Sequence, residues 1–192
     1  MNMSKEQKII SHPLEALNRW ENGHHVFIVL IQSLVVVHLR LGRSLERKDW
    51  RAASDALADA ALLWRACCAA FHFTGDFTPE AFETIVRPSM APPHENDGFS
   101  GTWSADHAQL LKVLRGIRPL FQTLPPDLSR RYRVYKWDLD AGYESHSMVC
   151  GDLAGSGPSL KMKAAHTEAS AVEEIRKLKT RTLKLAGYSD QP

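Results

Sequence analysis

Residues 26 to 37 read Val-Phe-Ile-Val-Leu-Ile-Gln-Ser-Leu-Val-Val-Val, and they form the most apolar stretch of the 192-residue chain. A helix needs about 20 apolar residues to span a bilayer, whereas this run has about 12. Gln32 and Ser33 interrupt it, and His38 and Arg40 follow it. We therefore predict a buried helix that is apolar almost all round, as at the centre of a helical bundle, and no membrane as partner.

Helix signals continue on both sides of this run. Because glycine commonly ends a helix, we predict a break near Gly23. Asp49 and Thr78 are predicted N-caps, and small residues and prolines at 88–103 and 151–159 predict loops. Residues 132–137 fit a strand or a helix, and both stay open. We predict an all-α, single-domain bundle over residues 1–192, with helices at about 13–21, 24–47, 50–72, 80–87, 143–149 and 160–185 and one that begins at Ser104.

The composition narrows the function classes. With 24 basic and 22 acidic residues the formal net charge is only +2, which does not favour nucleic acid as a partner. Cys67, Cys68 and Cys150 are an odd number without a CxxC spacing, so we expect no disulfide framework and no zinc site. The polar N-terminus lacks the apolar segment of a secretory signal, so the expected compartment is the cytoplasm.

Two motifs suggest a metal-binding or anion-binding role from the spacing of their residues. Glu21-x-x-His24 is half of a di-iron carboxylate set, but the chain contains no second Glu-x-x-His. Residues 155–159, Gly-Ser-Gly-Pro-Ser, precede the last predicted helix. Such a loop holds an anion at a helix start or is simply a turn, and the sequence leaves both readings open.

Four segments follow one another in an order known from one family. They are residues 27–32 continued by 39–41; Asp49-Trp50; residues 77–82, 87–90 and 98–100; and His146 with Val149 and the loop 155–159. In this order, from about residue 24 to 160, the chain resembles the tryptophan 2,3-dioxygenase superfamily of histidine-ligated haem enzymes. Ile31 stands where that family has its distal histidine, and residues 105–107 stand where it has a carboxylate-binding arginine.

The resemblance implies haem b, with its iron, in a core of about residues 24–160, followed by a C-terminal helix at about 160–185. It implies that His146 is the metal ligand. His107 would take a catalytic role in place of the missing polar groups. The remaining implied residues are Phe27, Ile31 and Phe99 at the haem, and Ser100, Trp103, Gly155, Ser156 and Gly157 at the substrate.

The function that follows is a haem-dependent oxygenase. It would use dioxygen or peroxide to oxidise an aromatic or indole-derived small molecule, in secondary metabolism or in the breakdown of aromatic amino acids. Two alternatives stay open: a non-catalytic small-molecule-binding or assembly protein on the same fold, and a non-haem iron enzyme that uses several of the nine histidines. The charged last helix would pack on its own core or on a second subunit of a homo-oligomer.

Overall fold

A computed structural model of the chain describes residues 13–90, 104–155 and 170–187. Every element within these ranges is helical, which confirms the predicted all-α bundle. The helices are α1 Pro13–Glu46, α2 Trp50–Thr74, α3 Pro79–Ala81, α4 Arg87–Ser89, α5 Ala105–Ile117, α6 Ser129–Ala154 and α7 Ala171–Leu185, with a π-helical turn at Phe82–Val86 and 3₁₀ turns at Arg118–Thr123 and Pro126–Leu128.

The first helix runs without interruption over 34 residues, so the predicted break near Gly23 is wrong. Gly23 is buried and faces α2. A Cβ atom added there would lie 1.9 Å from Thr74 Oγ1 and 3.0 Å from Thr74 Cα. The glycine therefore allows the two helices to approach closely, and their packing outweighs its poor helix propensity.

The main core lies where α2 packs between α1 and α6. Leu57 and Trp64 of α2 meet Leu34 of α1 and Tyr135 and Leu139 of α6, and all five side chains are buried. Helix α5 covers α1, and α7 covers α6. The buried side of α5 includes Leu110, Leu111, Leu114 and Ile117.

The segment after α2 begins as predicted but ends later. Thr78 Oγ accepts a hydrogen bond from the Ala81 N–H at 3.2 Å, and Pro79 occupies the first turn. The helix then continues past its predicted end to Ser89, through the wide turn Phe82–Val86. In a regular helix the Pro88 ring would clash with the carbonyl four residues earlier, and a π-type turn widens the backbone there.

Helix α6 settles the open reading of residues 132–137 as helical and continues to Ala154, four residues into the predicted loop. Gly155 ends it with φ at +57°, a conformation that favours glycine. Helix α7 begins at Ala171 rather than near residue 160. A capping box fixes this start, because Ser170 and Glu173 each accept a hydrogen bond from the other's backbone N–H.

Helix α1 has two different faces. By length and composition, α1 and α2 are each apolar enough to cross a membrane. Ile31 and Leu34 are fully buried in the bundle, as predicted for this run, whereas Val29 and Val36 on the opposite side are 60% and 65% exposed. The predicted apolar character all round is therefore present, but among the described residues only one face of α1 contributes to the core.

Candidate functional site

The candidate site is built around His146 on α6. Its imidazole lies flat on the Phe71 ring of α2, with ring centroids 4.5 Å apart and an interplanar angle of 4°. Phe27 of α1 contacts the same Phe71 ring, with ring centroids 4.8 Å apart. Phe71 therefore brings together two residues, Phe27 and His146, that the sequence analysis assigned to one site.

The imidazole of His146 is neutral at pH 7. Burial, followed by the charges of His24 and His107, lowers its pKa to about 4. These two residues belong to α1 and α5, so histidines of three helices influence one another electrostatically. A neutral imidazole keeps a nitrogen lone pair, which is the form that binds iron.

The hydrogen bond of His24 determines its tautomer. Its Nδ1 lies 2.7 Å from the backbone oxygen of Trp20, one helical turn earlier. Because a carbonyl oxygen can only accept, Nδ1 carries a proton and donates it to Trp20. This backbone contact orients a ring in the same way as the outer hydrogen bond of many metal-binding histidines.

His107 begins a buried chain of hydrogen bonds. The Thr182 hydroxyl donates to the Leu178 carbonyl at 2.9 Å, so its oxygen accepts from the Tyr143 hydroxyl at 2.9 Å. The Tyr143 oxygen then accepts from His107 Nε2–H at 2.8 Å. Burial, followed by the charge of Arg181, lowers the pKa of His107 to about 4. The chain thus holds a neutral His107 with its lone pair on Nδ1.

We expect Tyr143→Phe to lower the free energy of unfolding by about 2 kcal/mol, because it leaves the buried His107 Nε2–H without an acceptor. Thr182→Val is the matched comparison. It keeps the bond between Tyr143 and His107 but leaves the buried Tyr143 hydroxyl without an acceptor, so it should cost a similar amount. Urea denaturation followed by circular dichroism measures both, and a Tyr143→Phe variant as stable as the native chain would contradict this buried chain of hydrogen bonds.

The other residues predicted for the site are either distant from the His146 ring stack or outside the described ranges. Ile31 is fully buried in the main core, one helical turn after Phe27. Gly155 ends α6 and is exposed. The remaining predicted contacts lie outside the described residues: Phe99, Ser100, Trp103, Ser156 and Gly157.

Several residues of this region were missed by the sequence analysis. Phe71 was predicted only as part of the helix at about 50–72, and neither Tyr143 nor Thr182 carries a sequence signal that links it to His107. Cys150 had a detectable signal, because four residues separate it from His146 and place both on one face of α6. Burial raises the pKa of the Cys150 thiol to about 12.

An open cavity of about 430 Å³ lies near this region, between α1, the end of α2 and the end of α6. Within the described ranges, no three His, Cys, Asp or Glu side chains are grouped so that they could hold a metal ion. The cavity is lined by Arg19, His72, Phe73, Gly75, Asp76, Val149 and Asp152.

Comparison with known proteins identifies the family. Residues 2–131 match the model of the SfmD 3-methyl-L-tyrosine peroxygenases. This chain belongs to that family. A 3-methyl-L-tyrosine peroxygenase from Streptomyces lavendulae is 33% identical over 178 residues, which are 93% of this chain and 48% of the relative. The chain therefore spans about half the length of that relative. No solved structure matches it.

Proposed function

We propose that this chain functions as a haem-dependent oxygenase of the peroxygenase type that oxidises an aromatic amino acid, with His146 as an iron ligand. Membership of the peroxygenase family supports the oxidative reaction and the aromatic substrate. The single observation that carries the ligand assignment is the neutral His146 ring held flat against Phe71. The proposed setting is the cytoplasm, on the sequence argument alone.

The residues present fit a haem. A haem site needs an apolar lining, one basic axial ligand and a few polar groups on the open side. His146 provides the imidazole, Phe27 and Phe71 provide aromatic surface beside it, and His107 provides a polar group on the neighbouring helix. When bound, haem supplies the redox chemistry with peroxide or dioxygen that these side chains lack.

The protein residues around this group have separate tasks. Phe71 fixes the plane of the His146 ring, so the nitrogen lone pair keeps one direction. The Tyr143–Thr182 chain fixes the proton of His107 on Nε2, which leaves Nδ1 to accept a proton from a reacting group. We propose that the aromatic substrate contacts the segments predicted from the sequence: Ser100, Trp103 and Gly155, Ser156 and Gly157. The arrangement is proposed to follow that of the tryptophan 2,3-dioxygenase superfamily, with haem b.

We expect the purified protein, expressed with ample haem, to show a Soret band, and His146→Ala to lower the bound haem by about 10-fold or more. The matched control is His72→Ala, since His72 is an exposed histidine near the end of α2. Pyridine haemochrome assays and iron analysis measure haem and metal separately.

The other possible outcomes of these assays contradict either the ligand assignment or the haem proposal. Full haem loading in His146→Ala would remove the ligand assignment, and an equal loss in His72→Ala would show that the effect is not specific. Protein that stays colourless after haem supplementation would overturn the haem proposal and favour the binding or assembly alternative. Iron without porphyrin would favour the non-haem enzyme.

A further inference from the structure

Tyr135 and His38 form a hydrogen-bonded pair at the centre of the bundle, and the proposed function gives this pair no role. The Tyr135 hydroxyl lies 2.9 Å from His38 Nε2, and both side chains are fully buried. Because His38 Nδ1–H donates to the Leu34 carbonyl at 2.7 Å, Nε2 carries the lone pair and accepts the hydrogen bond from the phenol. The pair therefore joins an oxidisable ring to a base, away from solvent.

The other two tyrosines among the described residues lack such a base. Tyr143 donates to the Thr182 hydroxyl at 2.9 Å, and Tyr132 donates to the Ala186 carbonyl at 2.5 Å. Neither a hydroxyl nor an amide carbonyl takes up a proton near pH 7. Lys136 Nζ also lies 4.6 Å from the centroid of the Tyr132 ring, and its positive charge opposes the removal of an electron from that ring. Of the three, Tyr135 alone donates to a nitrogen that can bind its proton.

We propose that Tyr135 is a redox-active residue, which supplies one electron to an oxidant formed at the candidate site while its proton moves to His38. The O–H bond of Tyr135 breaks, an N–H bond forms at His38 Nε2, and the ring becomes a neutral tyrosyl radical. A phenol that has lost an electron is a strong acid, so a weakly basic imidazole is sufficient. The electron reduces a peroxide-derived one-electron oxidant of the haem site, and this source rests on the proposed function.

Helix α6 connects Tyr135 with the candidate site. Tyr135 lies eleven residues before His146 on this helix, which is about 16 Å along the axis. Tyr143 lies between them, about 12 Å from Tyr135 along the axis. Its ring contacts the Trp64 ring of α2, with centroids 5.6 Å apart, and Trp64 belongs to the same core cluster as Tyr135. Oxidisable rings therefore divide the path of the electron into shorter steps.

The surroundings of Tyr135 favour a radical that stays in place. Its ring stacks with Phe121 and Tyr132, with centroids 6.4 Å apart in both pairs. Full burial keeps dissolved molecules from the ring. The proton remains one hydrogen bond away on His38, so the return of an electron restores the phenol without exchange with solvent. The pair thereby stores one oxidising equivalent when the aromatic substrate is absent, which protects other side chains from oxidation.

Photochemical oxidation of the purified chain tests this role without haem. Tris(bipyridine)ruthenium with persulfate removes one electron after a light pulse, and electron paramagnetic resonance of protein with ring-deuterated tyrosine identifies a tyrosyl radical. We expect the radical in the native chain and its loss in Tyr135→Phe. The matched control is Tyr132→Phe, which removes a hydroxyl one helical turn away and should keep the radical. An undiminished tyrosyl signal in Tyr135→Phe would overturn the proposal.

His38→Gln tests the proton acceptor. The amide oxygen of glutamine accepts the hydrogen bond from Tyr135 but not its proton, so transient absorption should show that the radical forms more slowly by on the order of 100-fold. Circular dichroism before the light pulse restricts the comparison to folded protein. An unchanged rate would contradict the transfer of the proton to His38.

Hydrogen peroxide added to the haem-loaded chain without substrate tests the source of the oxidant. The same radical should appear in the native chain and be absent from Tyr135→Phe. Haem-loaded protein that forms no radical at Tyr135 would overturn this inference and leave the proposed function intact. Protein that binds no haem would overturn the proposed function, and the photochemical result would still decide the redox role of Tyr135.

Discussion

Gly23→Ala should lower the free energy of unfolding by about 3 kcal/mol. The added methyl group would lie 2.7 Å from Thr74 Cβ and 3.0 Å from Thr74 Cα. Rotation of the threonine side chain moves Oγ1 but not these two atoms, so the backbones of α1 and α2 must separate. That movement loosens the contact between the two helices that form most of the core. Urea denaturation followed by circular dichroism measures the effect.

Gly116→Ala provides the control with the opposite sign. Gly116 lies in the last turn of α5, is exposed, and would have nothing within 4 Å of an added Cβ. Alanine is favoured over glycine in a helix, so this change should raise the free energy of unfolding by about 0.5–1 kcal/mol. If Gly23→Ala stabilised the protein as Gly116→Ala does, α1 and α2 could not approach as closely as the structure shows.

The helix caps could be predicted from the sequence, whereas the role of Gly23 could not. The caps were predicted correctly at Asp49 and Thr78, because a cap depends on a side chain and a backbone N–H three residues away. Gly23 is also a local signal, but its meaning depends on Thr74, which lies on another helix. A single sequence does not distinguish a glycine that ends a helix from a glycine that allows a neighbouring helix to pack closely.

The sequence left residues 132–137 of helix α6 undecided for a related reason. Residues 132–137 alternate weakly, and only the packing of Tyr135 and Leu139 against α2 makes the helical face evident. At the candidate site, the family resemblance predicted Phe27 and His146, which Phe71 brings together. The partners that determine the state of His107, namely Tyr143 and Thr182, are 36 and 75 residues away in the sequence. Such contacts follow from the fold and have no local pattern.

Acid should destabilise this protein well above the pH at which most carboxylates titrate, and His38 contributes a defined share. Its Nδ1–H donates to the Leu34 carbonyl at 2.7 Å, so Nε2 accepts from the Tyr135 hydroxyl at 2.9 Å. His38 is fully buried, and burial lowers its pKa from 6.5 to about 4. The unfolded chain therefore binds a proton below pH 6.5 that the folded chain does not bind until about pH 4.

The sign of the effect follows from this difference. The unfolded state holds more protons between pH 6.5 and 4, so stability falls as the pH falls through that window and the His38 contribution levels off below it. From pH 7 to pH 5 this one group should remove about 2 kcal/mol of the free energy of unfolding. Urea denaturation at both pH values measures the loss, and a flat profile would contradict a buried neutral His38.

The double variant His38→Leu/Tyr135→Phe isolates the share of His38. It replaces both hydrogen-bond partners with apolar groups, so neither residue leaves a buried donor or acceptor of the other unpaired. The free energy of unfolding of this variant at pH 7 should therefore stay close to that of the native chain. Its loss between pH 7 and pH 5 should be smaller by about 2 kcal/mol, because every other titrating group is retained. His38→Leu alone should be less stable at pH 7, since it leaves the buried Tyr135 hydroxyl without an acceptor. An unchanged pH dependence in the double variant would mean that other groups cause the acid sensitivity.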